Sequence, residues 1–196
     1  VQDAPGSAEV IKLSSNESAL GPSSRVLEAY RSVGRNMHRY PDPASTLLRN
    51  TLAVCYRAEP EQIVCGVGSE SLIRLILRTY EAPGDDVLYS QYAFSVFRIA
   101  AVSLGVIPLS VPERNYTADP EEMLNAVSER TRIVYLANPN NPTGTLAPYD
   151  SVLKLADGLP EHVLLVLDSA YAEYLQDPDY QNGRGLVSEG RENVIV

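Results

Sequence analysis

Short apolar runs that end on polar residues alternate along this chain with stretches of helical periodicity, and nothing else in the sequence constrains the fold as strongly. Runs at residues 63–65, 87–89, 106–111, 133–137 and 163–167 predict strands, and residues 193–196 read as the opening of another. Helical stripes fall between them, at Leu72, Ile73, Ile76, Leu77 and Tyr80, and over residues 94–104, 120–129 and 149–157. Two more helices come first. Val26, Leu27, Tyr30 and Val33 follow the capping candidates Ser23 and Ser24, while Leu47, Leu48, Thr51, Leu52, Cys55 and Tyr56 follow the extended Tyr40-Pro41-Asp42-Pro43. Strands that alternate with helices need crossover connections, which predicts an α/β fold: a mainly parallel sheet with helices on both faces. The helix near residue 120 is well signalled, with Asp119 as N-cap, Pro120 at the first position and Glu122 placed to reach back as in a capping box.

The chain has 196 residues, 44% of them hydrophobic, enough for one globular domain with a real core. Its longest apolar runs, such as 163–167, fall far short of the roughly 20 residues a bilayer crossing needs, so no membrane association is expected. Residues 1–9 show neither the basic start nor the apolar stretch of a secretory signal. With 25 acidic residues against 16 Lys and Arg, the formal charge of -9 disfavours nucleic acid as a partner, and an anionic ligand must be held locally. Cys55 and Cys65 have no metal or redox spacing and read as reduced, buried thiols of a cytoplasmic protein. His38 and His162 lie far apart, which disfavours a zinc site or a Cys-His nucleophile pair and leaves carboxylate metal sites open; no metal is expected.

Ligands of open α/β sheets sit beyond the carboxyl ends of the strands, so the residues just after each strand are the ones to inspect. Gly66-Val67-Gly68-Ser69-Glu70-Ser71 lies between a strand and a helix. It reads either as a phosphate cradle built from backbone N–H groups or as a plain helix cap at Ser69. A dinucleotide-binding turn fits poorly, because Ser71 replaces the third glycine and the next strand ends in Tyr89 and Ser90 without an acid. Asn138-Pro139-Asn140-Asn141-Pro142-Thr143-Gly144 is either a tight loop of turn formers or a rigid mount for an amide donor. Asp168 closes an apolar strand as a solvated turn residue or as a carboxylate seeking a cationic partner. Phe94 starts a helical stripe continued by Phe97 and Ala101, as a core residue or as an aromatic wall. Together these four suit a phosphorylated pyridine ring, with the acid keeping the ring nitrogen protonated.

The ordered set Leu13-Ser14-Ser15-Asn16-Glu17 with Gly21-Pro22, Arg39-Tyr40-Pro41-Asp42-Pro43, Gly68-Ser69, the 138–144 loop, and Asp168 with Ala170-Tyr171 resembles the first part of a fold-type I pyridoxal-phosphate enzyme. It is most similar to the histidinol-phosphate aminotransferase family, and the likeness covers nearly the whole chain. Departures are Ser18-Ala19 where Asn-Pro is usual, Glu70-Ser71 for Asp-Glu, and Ser169 for Glu.

The resemblance implies pyridoxal 5'-phosphate as cofactor, a small-molecule amino donor, a 2-oxo acid acceptor and a homodimer. The backbone at Gly68, Ser69 and Glu70 is implied to bind the cofactor phosphate, Phe94 to stack on the ring, Asn141 and Tyr171 to bond its phenolic oxygen, and Asp168 its nitrogen. Asn16 is implied to face the substrate, and Tyr40 to reach the phosphate of the partner subunit's site. An N-terminal arm over 1–22 and a partial large domain over 23–196 are implied, with the Schiff-base lysine beyond Val196. The two lysines present, Lys12 and Lys154, are not placed for that role. In the family's sheet a further strand separates residues 63–65 from the rest, so those residues should lack a partner on that side. An amino-acid phosphate decarboxylase, an aromatic aminotransferase and a non-catalytic α/β piece are the alternatives.

Overall fold

The computed structural model describes residue 12, residues 14–176 and residues 180–196. Of the segments singled out above, Leu13 and residues 1–11 therefore lie outside the described residues. The chain divides into two compact units, residues 1–46 and 47–196.

The first unit carries helix α1, Ser24–Val33. Of the two capping candidates Ser23 takes the position, its side chain accepting from Val26 N at 3.4 Å. Further on, Asp42 ties the entry to the next helix: its two carboxylate oxygens accept from Ala44 N at 3.0 Å and Thr46 N at 2.8 Å. Both oxygens thereby cover N–H groups that an isolated helix start leaves bare.

The second unit is the α/β sheet. In chain order it contains α2 (Thr46–Tyr56), α3 (Gly68–Tyr80), β1 (Asp86–Ser90), α4 (Ser95–Ser103), β2 (Ile107–Val111), α5 (Pro120–Asn125), β3 (Thr131–Ala137), α6 (Tyr149–Gly158), β4 (Leu164–Asp168), α7 (Arg184–Ser188) and β5 (Val194–Ile195). The strands pair in the order β2-β1-β3-β4-β5, all parallel. Period-2 alternation sorts β3 between two cores. Ile133, Tyr135 and Ala137 pack with Ile73 and Leu77 of α3 and Phe97 and Ala100 of α4, while Val134 and Leu136 pack with Met123 of α5, Val152 and Leu155 of α6 and Leu186 of α7. Helices thus cover both faces. Burial of the large side chains in these two layers, each contributing roughly 1.5–3 kcal/mol, is the main stabilising term of the unit.

Three local expectations are corrected. Residues 63–65 form no strand; a 3-10 helix at Pro60–Gln62 leads into an extended Ile63 that finds no ladder partner among the described residues. Asp119 does cap α5, accepting from the N–H groups of Glu121 and Glu122, but the Glu122 carboxylate turns outward to Arg114 at 3.1 Å instead of closing the capping box. The thiols are not buried: Cys55 is exposed on α2, whose buried residue is Ala53, and Cys65 is intermediate.

Candidate active site

The strand order reverses direction between β1 and β3, where the chain runs first to β2 on one side and later to β4 and β5 on the other. Loops leaving adjacent strands at such a point diverge and open a crevice at the carboxyl ends. Phe94 follows β1, Asn141 follows β3, and Asp168 and Tyr171 end and follow β4. These four, with Ser69 of α3, line one hollow of about 390 Å³, part of it open to solvent. Ala137, Pro139 and Ala170 complete its wall.

Each polar group is positioned by its local structure. Asn141 rides a loop whose other asparagines are structural. Asn138 bonds both backbone groups of Ala147, and Asn140 donates to Tyr92 O at 3.2 Å and Thr143 Oγ1 at 2.8 Å. Thr145 Oγ1 donates to Tyr116 O at 2.6 Å, and the Tyr116 ring packs against Tyr92 with centroids 5.4 Å apart. The loop after β1 and the loop after β3 are therefore sewn together behind the hollow.

Asp168 sits on the α3 and α4 face of the sheet, because Leu164 and Val166 of its own strand pack there and the period is two. Register pairs it with Ala137 and puts Tyr135 diagonally beneath it. The Tyr135 hydroxyl donates to Asp168 Oδ2, and Ala170 N donates to Oδ1 at 3.0 Å. None of the described ion pairs involves this carboxylate; its protein partners are a buried phenol and a backbone N–H. Burial foremost, then the charge and the hydrogen bond of Asp168, push the Tyr135 phenol far above the ordinary tyrosine range.

At the other wall α3 begins at Gly68, not at Ser69, with Val67 as an N-cap that offers no side-chain acceptor. Gly68 has φ +79°, a conformation side chains disfavour, and no heavy atom lies within 4 Å of the place a Cβ would take. No side chain caps the first backbone N–H groups of this 13-residue helix, whose positive end is a place suited to an anion. Glu70 turns its carboxylate to Arg74 at 2.9 Å, so only its main chain faces the helix start.

Gly68 and Glu70 flank Ser69 without lining the hollow themselves. Asn16, with φ +52°, and the fully exposed Tyr40 belong to the first unit. Lys154 is exposed on α6, whose buried residues belong to the opposite layer, and Lys12 pairs with Glu17. The residue that sequence reading missed is Tyr135, whose ring stacks at 4.1 Å and 17° on Phe97, the core residue expected from the helical stripe. Among the described residues no helix is long and apolar enough to cross a membrane, and no cluster of His, Cys, Asp and Glu has metal-site geometry.

The family model described as aminotransferase class I and II matches residues 8–196. The chain belongs to that family. Among its curated relatives, the histidinol-phosphate aminotransferase of Rhodospirillum centenum is 49% identical over 98% of this chain and 53% of its own length. That of Maricaulis maris is 48% identical over 99% of this chain and 53% of its length. A solved histidinol-phosphate aminotransferase from Sinorhizobium meliloti, in complex with pyridoxal-5'-phosphate, superposes with a TM-score of 0.84 at 32% identity, covering 91% of this chain and 48% of that one. An aspartate aminotransferase variant of Thermus thermophilus gives 0.81 at 26% identity, over 93% of this chain and 53% of that one. The chain spans about half the length of the curated relatives it matches. As a class I and II aminotransferase chain it carries the parallel α/β sheet of those neighbours.

Proposed function

We propose that this chain forms the cofactor-holding part of a histidinol-phosphate aminotransferase, which moves an amino group between histidinol phosphate and 2-oxoglutarate in histidine biosynthesis. One observation carries the reading: Ser69, Phe94, Asn141, Asp168 and Tyr171, drawn from separate segments, share one hollow at the strand reversal. The near-50% identity to relatives of that name supports the substrate.

The donor set fits pyridoxal 5'-phosphate: an anion cradle, an aromatic wall, an amide, a phenol and an acid. When bound, that cofactor supplies an aldehyde for amines and a ring that accepts the electrons released at the substrate's α-carbon. The N–H groups at Gly68, Ser69 and Glu70 bind its phosphate through the helix dipole. Asp168 holds a proton on the ring nitrogen. Asn141 and Tyr171 donate to the phenolic oxygen and fix the ring's rotation, while Phe94 covers one face and excludes water there. Asn16 is assigned to the substrate and Tyr40 to the phosphate of the partner site in a cytoplasmic homodimer. Residues 1–22 act as an arm and 23–196 as part of the cofactor domain.

Two measurements test this. Pyridoxal phosphate titrated into the chain should quench tyrosine fluorescence, the 12 tyrosines being the fluorophores in the absence of Trp, and Asp168→Ala or Asn141→Ala should weaken binding by about tenfold or more. Glutamate should form from 2-oxoglutarate and histidinol phosphate on the complete gene product. Glutamate formed from an aromatic amino acid alone overturns the substrate, and quenching indifferent to both substitutions overturns the site.

A further inference from the structure

Beneath Asp168 the sheet buries a phenol that does not itself line the hollow. Tyr135 is fully buried, its ring stacked on Phe97, which in turn packs against Tyr89 at 6.0 Å. Its hydroxyl donates to Asp168 Oδ2. The second carboxylate oxygen is held separately by Ala170 N. A carboxylate on a single side-chain torsion can turn its plane freely when one oxygen is tethered; with a donor on each oxygen the plane is fixed. One donor comes from the sheet interior and the other from the turn that follows β4, so the carboxylate edge is clamped from two elements before any ligand arrives. Such advance positioning matters most for a group that must meet one ring atom in a line.

We infer that Tyr135 is a positioning residue, which acts through Asp168 to set the orientation of the carboxylate and thereby the strength with which a bound pyridine ring keeps its nitrogen protonated. The inference rests on the cofactor reading above and adds a residue outside the hollow. Packing alone does not require the hydroxyl: phenylalanine would stack on Phe97 as well.

The test uses 4'-deoxypyridoxine 5'-phosphate labelled with ¹⁵N in the ring, a probe that needs no amine to bind, and reads the ring-nitrogen protonation midpoint by NMR on the bound probe. In the unsubstituted chain the midpoint should lie above that of the free probe. Tyr135→Phe should lower it by about one unit, with about a tenfold loss of affinity for the protonated ring. Asp168→Asn should lower it further, and adding Tyr135→Phe to Asp168→Asn should change nothing more, because the tyrosine has lost the group it acts through. A midpoint unchanged in Tyr135→Phe but lowered in Asp168→Asn overturns the role of Tyr135 alone. An equal fall in the Asp168→Asn background does the same, since it reveals a packing effect. A probe that fails to bind, or a midpoint indifferent to Asp168→Asn, overturns the cofactor reading together with the inference.

Discussion

Asn138 and Ala147 are joined in both directions: the asparagine's Oδ1 accepts from Ala147 N at 2.8 Å and its Nδ2 donates to Ala147 O at 3.1 Å. A single side chain thus imitates a two-bond strand pairing and cinches the loop that carries Asn141.

Because both residues are buried, removing the amide leaves a backbone donor and acceptor without partners, at about 1–3 kcal/mol each. Asn138→Ala should lower stability by about 2–4 kcal/mol, read as a fall in the urea midpoint at unchanged slope. Asn138→Asp keeps the acceptor but sets a buried carboxylate against the Ala147 carbonyl oxygen, and should destabilise at least as much at neutral pH. In both variants affinity for pyridoxal phosphate should drop even where the fold is retained, since Asn141 loses its mount.

Gly66 sits ahead of the phosphate cradle in a crowded place. A Cβ there would come within 2.6 Å of Ser71 Oγ and 2.8 Å of Leu72 Cδ2, both on the first turns of α3. Gly66→Ala therefore pushes the Ser71 and Leu72 side chains aside and breaks the Ser71 Oγ bond to Gly68 O at the helix start, at a stability cost of about 1 kcal/mol. The larger effect is expected on phosphate: titration with pyridoxal phosphate should show a loss of about tenfold, whereas the phosphate-free analogue pyridoxal should bind as before.

Glu81 supplies a pH dependence unrelated to the hollow. Both its carboxylate oxygens are buried without hydrogen-bond partners, and burial, helped by Asp85 and Asp86 against the pull of Arg132, raises its pKa from 4.5 to about 8. The folded chain therefore holds a proton that the unfolded chain releases above pH 4.5. Folding stability from this group is greatest at the acid end, declines as pH rises between those two values, and is level beyond the upper one. Glu81→Gln should abolish that decline. Because the side chain is only half buried, solvent screening limits the gain to about 1 kcal/mol at pH 8, or about 2–4 °C in Tm by calorimetry.

Much of this architecture is legible from residues alone, for a definite reason. A strand buried on both faces must be a continuous apolar run, so β1, β3 and β4 announce themselves within a residue or two, as does Asp119 at the start of α5. Residues 63–65 look the same, yet a strand is defined by its neighbour as well as by its own sequence, and none pairs with it among the described residues. Phe94, Asn141 and Asp168 could be singled out because each follows or ends a strand, and they line one hollow together with Tyr171, which only the family resemblance points to. Tyr135 could not be singled out, because its meaning depends on parallel register with β4, which brings residues 33 apart in sequence into contact. Cys55 misled because helical spacing tells which residues share a face, not how much of that face the neighbouring elements cover.

The strand reversal between β1 and β3 has an evolutionary corollary. Acid, amide and aromatic wall hang from three different strand ends, and the bond from Asn140 to Tyr92 O couples the amide's loop to the aromatic's, while the acid has its own mooring. Descendants of such a scaffold are free to retune the reactants they accept at the crevice rim while the interior that steadies Asp168 stays as it is.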